Sequence, residues 1–256
     1  MRHLRHSGRF CTINDRVSPV PHPRGDTLLL VDQLNELVKS SVFRAVMTGI
    51  AFGIGCAGHR SFYNFQKGKS DMRDYQVGVV VGSLRRHSFN RKLAAAIVKL
   101  GPPEFSFRLL QVSDLPLYNQ DDDDNPAEPV KRLKAEILAS DGILFVTPEY
   151  NRSMPGVLKN ALDHASRPYG QSAWAGKPAG VIGASPGSIG TAIAQQHLRN
   201  SLAYLDMPAL GQPEAFIQVK EGLFDDAGNI GNEDSRKFLQ NWMDRYVAWV
   251  KKHADK

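Results

Sequence analysis

The stretch Gly82-Ser83-Leu84-Arg85-Arg86-His87-Ser88-Phe89-Asn90-Arg91 joins the apolar run Val77–Val81 to the helical pattern Lys92-Leu93-Ala94-Ala95-Ala96-Ile97-Val98. A buried strand, a short hydroxyl-rich turn and a helix start are the parts of a phosphate cradle. Backbone N–H groups in a helix's first turn have no partner within the helix, and the helix dipole favours an anion there. Ser83, Ser88 and Asn90 can add hydrogen bonds, and Arg85 a charge-assisted one. The turn has neither the Gly-x-Gly-x-x-Gly of a dinucleotide fold nor the Gly-Lys-Ser/Thr of a P-loop, which points to a different phosphate. The plain alternative is a capped helix, with Ser88 as N-cap and Arg85-Arg86 as a solvated pair.

The chain has 256 residues, 42% of them hydrophobic, enough for one sizeable domain with an appendage. Its net charge of +6 is unevenly spread. Residues 1–71 hold 10 Lys/Arg against 5 Asp/Glu; residues 72–256 hold 22 against 21. The globular part therefore carries no nucleic-acid footprint. Cys11 and Cys56 both lie in the first segment, so no thiolate nucleophile, disulfide frame or cysteine metal site is available from Met72 onward. That suits a reducing compartment, and a cytoplasmic location is expected. The apolar stretch Ala45–Gly58 is too short to span a membrane, and too Gly-rich and too far from the N-terminus for a signal peptide.

Residues 1–71 show little periodicity beyond a helical pattern from Leu28 to Met47. From Met72 short apolar runs alternate with helical patterns. Strands are expected at Val77–Val81, Phe105–Val112, Gly142–Thr147, Ala179–Ala184 and Phe216–Val219. Helices are expected from Asn90 to Leu100, Val130 to Ser140, Pro155 to Ser166 and Ile189 to Leu205. A last one should be capped by Asp234 or Ser235 and reach Lys252. This alternation predicts a parallel sheet with helices on both faces, and five strands fit the flavodoxin-like order 2-1-3-4-5. The acidic run Asp121–Asp124 reads as a solvated loop, because four adjacent acids cannot all face one ion. No metal site is expected.

Three unusual turns follow strands and so share the carboxyl edge of the sheet: Gly82–Asn90, Thr147–Gly156 and Ala184–Gly190. The first can hold a phosphate. The second offers Tyr150 as an aromatic surface and Asn151 as a two-sided hydrogen bonder. The third, Ala184-Ser185-Pro186-Gly187-Ser188-Ile189-Gly190, is small and allows close backbone approach. A flat, polar-edged ring between the second and third loops, with its phosphate in the first, accounts for all three. Flavin mononucleotide (FMN) is such a ligand.

Gly82-Ser83-Leu84-Arg85-x-x-Ser88-x-Asn90, Thr147-Pro148-Glu149-Tyr150-Asn151-x-Ser153-x-Pro155-Gly156-x-Leu158-Lys159-Asn160-Ala161-x-Asp163 and Ala175-Gly176-Lys177-Pro178 resemble the NADPH-dependent FMN reductase family, nearest to its soluble bacterial quinone and chromate reductases. The resemblance spans about Tyr75 to Lys252. It implies a flavodoxin-like three-layer sandwich holding FMN that is reduced by NADPH or NADH. It implies that Ser83, Arg85, Ser88 and Asn90 hold the phosphate. Pro148, Glu149, Tyr150 and Asn151 would face the ring, and Ser185 and Gly187 would close its other side. Arg152 then stands at the substrate mouth. A homodimer or homotetramer is also implied.

The implied reaction passes a hydride from nicotinamide to FMN and then electrons to quinones, chromate or similar small acceptors, by a ping-pong route. The flavin carries the chemistry, so no catalytic side chain is required beyond it. His164 and His197 read as packing or surface histidines. Three rivals remain open: an FMN or azo-dye reductase on the same scaffold, a non-enzymatic flavodoxin-type electron carrier, and a regulatory or binding module that binds FMN without redox turnover. The near-neutral charge of residues 72–256 and Arg85 in the phosphate turn argue against the carrier. Because every such signal starts after Met72, that residue is expected to be the native start, with residues 1–71 dispensable.

Overall fold

The computed structural model describes residues 73–225 and 227–255. The expected helix over 28–47, both cysteines and the expected start at Met72 lie outside the described residues.

The strands are β1 (Tyr75–Val81), β2 (Phe105–Leu110), β3 (Gly142–Val146), β4 (Ala179–Ser185) and β5 (Phe216–Gln218). They form one sheet in the order β2-β1-β3-β4-β5, every neighbouring pair parallel. The register runs from Tyr75 opposite Phe105, and from Val81 opposite Val146. The helices are α1 (Phe89–Ile97), α2 (Glu128–Leu138), α3 (Gly156–Ala165), α4 (Ala192–Tyr204) and α5 (Glu233–Ala254). The order reverses between β1 and β3, which opens a crevice at their carboxyl ends.

Side-chain alternation along each strand separates two cores. Val77, Val79 and Val81 of β1, with Leu144 and Val146 of β3, pack with Leu93 and Ile97 of α1 and Trp242, Met243 and Tyr246 of α5. Val80, Ile143, Phe145 and Val181 point the other way, toward Leu133 and Ile137 of α2, Leu158 and Leu162 of α3 and Leu198 and Leu202 of α4. The result is the expected three-layer sandwich. β3 is buried along its whole length, as a central parallel strand must be.

Several boundaries differ from the sequence reading. β2 stops at Leu110 rather than Val112, and β5 at Gln218 rather than Val219. Pro155 is the N-cap of α3 rather than part of its first turn. α4 starts at Ala192, three residues later than expected, because Gly190 sits at φ +64°, outside helical space. α5 is capped by Asn232, whose side chain accepts the Ser235 N–H at 2.9 Å; Asp234 and Ser235 fall inside the helix.

Lys177 of the Ala-Gly-Lys-Pro motif has a structural task. Its ammonium donates to the carbonyls of Leu138 and Ser140 at 2.9 and 2.6 Å, closing the C-terminal end of α2. Burial holds its pKa below the usual lysine value, against the pull of Asp141.

Candidate functional site

The first loop leaves β1 at Gly82, whose N–H donates to the Val146 carbonyl at 3.0 Å. Ser83, Ser88 and Asn90 are buried. The N–H groups of Ser83, Leu84, Arg85 and Arg86 donate to no acceptor among the described residues. Ser88 caps α1: its Oγ accepts the Arg91 N–H at 3.3 Å, which leaves its own O–H free to donate. The Asn90 side chain turns instead to β4. Its Nδ2 donates to the Ala184 carbonyl at 2.8 Å and its Oδ1 accepts the Ala184 N–H at 2.9 Å. Asn90 thus fastens the first loop to the strand that leads into the third. Arg85 folds back over its own loop, donating to the His87 carbonyl at 3.1 and 2.6 Å, with its guanidinium 4.9 Å from the Phe89 ring centre.

The second loop begins with Thr147, fully buried, its N–H donating to the Ile182 carbonyl at 2.9 Å. Pro148 is buried behind it. The Glu149 side chain reaches α4, where Oε2 accepts the N–H groups of Ile193 and Ala194, both at 3.1 Å. The N-cap position of α4, Thr191, makes no side-chain cap, so Glu149 satisfies those donors from 44 and 45 residues away. Tyr150 and Ser153 then exchange two backbone hydrogen bonds of 3.0 Å around Asn151 and Arg152. Both central residues have positive φ, 50° and 62°, the signature of a type I′ turn. Asn adopts this region readily; Arg does so at a cost of about 1–2 kcal/mol. The Arg152 guanidinium is exposed and lies 3.5 Å from Glu149 Oε1.

In the third loop the Ser185 hydroxyl accepts the Gly187 N–H at 3.1 Å, and the Gly190 N–H closes on the Gly187 carbonyl at 3.0 Å. Two glycines make the approach of these loops feasible. A Cβ at Gly183 would lie 2.1 Å from the Thr147 carbonyl oxygen, and one at Gly190 would lie 2.7 Å from the Phe216 backbone.

Electrostatics sort the helix ends. The N-terminus of α4 is already filled by the Glu149 carboxylate. The turn before α1 keeps free backbone donors, two hydroxyls and Arg85. Of these two helix ends, the turn before α1 is the one that still offers donors to an anion; α3, which starts at Gly156, also has no side-chain cap. A cleft of about 340 Å³ opens beside it, lined by Ser83, Leu84, Arg91, Gln111 and Ser113 among others. Each loop also exposes one large apolar residue: Leu84 (50%), Tyr150 (48%) and Ile189 (43%). Leu84 and Ile189 lie in loops whose sequence has no periodicity to mark an exposed apolar face. A polar cradle beside apolar platforms fits FMN, whose phosphate needs the first and whose ring needs the second.

His164 is buried, its Nε2 2.9 Å from the Pro116 carbonyl and its ring edge-on to Tyr118. This is a packing role. A second cleft of about 270 Å³ lies there, away from the three loops. Its polar groups are bound to one another: Arg167 to Asp123 at 3.0 Å, and Lys134 to the carbonyls of Arg167 and Gln171. Asp123 is thereby paired rather than merely solvated. Among the described residues no group of three or more His, Cys, Asp or Glu is placed to hold a metal ion.

Residues 75–221 match the family described as NADPH-dependent FMN reductase. A 2-hydroxy-1,4-benzoquinone reductase of a Burkholderia species is 57% identical over 176 residues, covering 69% of this chain and 96% of that protein. An NAD(P)H-dependent FMN reductase of Pseudomonas aeruginosa is 42% identical over 180 residues, 70% of this chain and 97% of that protein. The solved structure of FerB, a flavoenzyme NAD(P)H:(acceptor) oxidoreductase from Paracoccus denitrificans, superposes with a TM-score of 0.68 at 47% identity, covering 70% of this chain and 98% of that one. The parallel sheet, the first loop with its open donors and the matched span agree: this chain belongs to the NADPH-dependent FMN reductase family.

Proposed function

We propose that this protein is an FMN-dependent NAD(P)H oxidoreductase whose acceptors are quinones. The observation that carries the proposal is the convergence of three loops at one sheet edge, with free backbone donors in the turn before α1 and α4 already capped by Glu149. Ser83, Arg85 and Ser88 would hold the phosphate, Arg85 by releasing the His87 carbonyl. Pro148, Tyr150 and Asn151 would bound the ring on one side, Ser185 and Gly187 on the other. Glu149 and Asn90 set the distances between these loops. When bound, FMN supplies hydride acceptance from the nicotinamide and onward reduction of the quinone. The protein would orient both partners over one face.

Each loop exposes a large apolar side chain, Leu84, Tyr150 or Ile189, to incoming molecules. This supports a wider acceptor range that includes chromate, with Arg152 as a cation beside the mouth. A homodimer or homotetramer is part of the same reading, supported by the apolar residues exposed around the site. The need for reduced nicotinamide favours a cytoplasmic location. Among the described residues no helix is long and apolar enough to cross a membrane.

The test is spectroscopic. Purified protein loaded with FMN should lose its visible flavin absorbance on anaerobic addition of NADPH or NADH and regain it on addition of a quinone. Protein that stays colourless after FMN soaking, or that bleaches only with a partner reductase present, overturns the proposal.

A further inference from the structure

The Tyr150–Ser153 turn is fixed at both ends to one helix. Before it, Glu149 accepts the N–H groups of Ile193 and Ala194 in the first turn of α4. After it, the Ser153 hydroxyl lies 3.0 Å from Nδ1 of His197, one helical turn further along α4. Between these anchors sit Asn151 and Arg152, both at positive φ, in a turn closed by only two backbone hydrogen bonds. Free of restraint, an arginine at such a φ relaxes toward the ordinary region. From the sequence His197 reads only as a packing or surface residue, because Ser153 lies 44 positions away.

We propose that His197 is a positioning residue for the acceptor. Through Ser153 it holds the turn in the one arrangement that presents Tyr150, Asn151 and Arg152 to the incoming molecule. It touches neither flavin nor substrate in this role. The inference rests on the quinone reductase reading for its kinetic consequence but not for its structural one.

Two measurements on the full-length protein test it. The first needs no cofactor: backbone amide exchange by NMR at Tyr150 and Ser153, the two donors that close the turn. Loss of one hydrogen bond of ordinary strength should speed their exchange by roughly 2–13-fold in His197→Ala. In His197→Gln, whose side-chain amide can still meet the Ser153 hydroxyl, most of the protection should return. The second is quinone reduction by the FMN-loaded enzyme. The quinone KM should rise several-fold in His197→Ala and Ser153→Ala, with kcat nearly unchanged. The double variant should be no worse than either single one. Unchanged exchange in His197→Ala overturns the proposal, and so does a failure of His197→Gln to restore protection. A KM effect without an exchange effect also overturns it, since His197 would then meet the acceptor directly. If wild-type enzyme reduces no quinone, the functional reading falls while the exchange data still decide the clamp.

Discussion

Asn90 and Ala184 exchange two hydrogen bonds across 94 residues of sequence, at 2.8 and 2.9 Å, and both are buried. The amide of a side chain thus completes the backbone pairing of β4 just before the third loop. Asn90→Ala leaves a buried carbonyl and a buried N–H without partners. Removing one partner of a buried bond costs about 1–3 kcal/mol, so a loss in that range is expected in urea unfolding of the FMN-free protein. FMN affinity should fall with it, because the first and third loops lose their common anchor. Wild-type stability in this variant would show that Asn90 does not brace the loops.

Arg85→Ala should weaken FMN binding by about 1.5–3 kcal/mol, the range for a hydrogen bond to a charged group. Turnover per bound flavin should change little. Fluorescence titration measures the affinity. Unaltered affinity combined with slowed flavin reduction by NADPH would place Arg85 at the nicotinamide cofactor instead.

Glu149 separates charge from hydrogen bonding. Glu149→Gln keeps an oxygen to accept the Ile193 and Ala194 N–H groups and removes the charge, which at the helix end is worth about 0.3–1 kcal/mol, together with the exposed Arg152 pairing. Glu149→Ala removes the cap as well and should cost about 0.5–2 kcal/mol. Thermal unfolding of the two variants compares them directly. Equal losses would mean that the carboxylate acts by charge alone.

Acid stability follows from two surface carboxylates. Lys251 donates to Glu104 at 2.7 Å and Arg132 to Asp114 at 2.6 Å, and these hydrogen bonds hold both carboxyls below their usual pKa. A folded pKa below the unfolded one contributes stability above the unfolded value. That contribution is lost as pH falls through the folded value. The loss should therefore begin near the ordinary carboxylate range, about pH 4, and continue below it. Glu104→Gln and Asp114→Asn should each flatten the stability profile below about pH 5. Profiles parallel to wild type would remove these pairs from the account.

A fragment of residues 72–256 should fold, bind FMN and oxidise NADPH like the full chain. The matched span supports this: 69% of the chain accounts for 96% of the Burkholderia relative. Loss of FMN affinity in the fragment would make residues 1–71 part of the binding unit.

The sheet was legible because its signal is local. Val77–Val81 and Gly142–Thr147 are apolar runs bounded by turn residues, and the strand–helix alternation leaves few topologies to consider. Ser88 likewise showed its capping role three residues before its partner, Arg91. The site was legible as three loops but not as bonds. The Asn90 side chain, expected at the phosphate, also pairs with Ala184, and the Glu149 side chain, expected beside the ring, also caps α4. In both cases the residue type announces hydrogen bonding, while the partner depends on which loops the fold brings together. Arg152 carried no hint of its positive φ, since arginine is rarely chosen for that region.

The type I′ turn has a consequence for variation. Its frame, Glu149 and Ser153, is fixed from outside, on α4. The two central residues of the turn, Asn151 and Arg152, can then be exchanged without retuning the fold, subject to one backbone rule. Gly, Asn or Asp at position 152 should relieve the turn, whereas Val, Ile or Thr should break it. Under the proposed function, acceptor preference would be open to adjustment by a small and nameable alphabet, written at two adjacent positions.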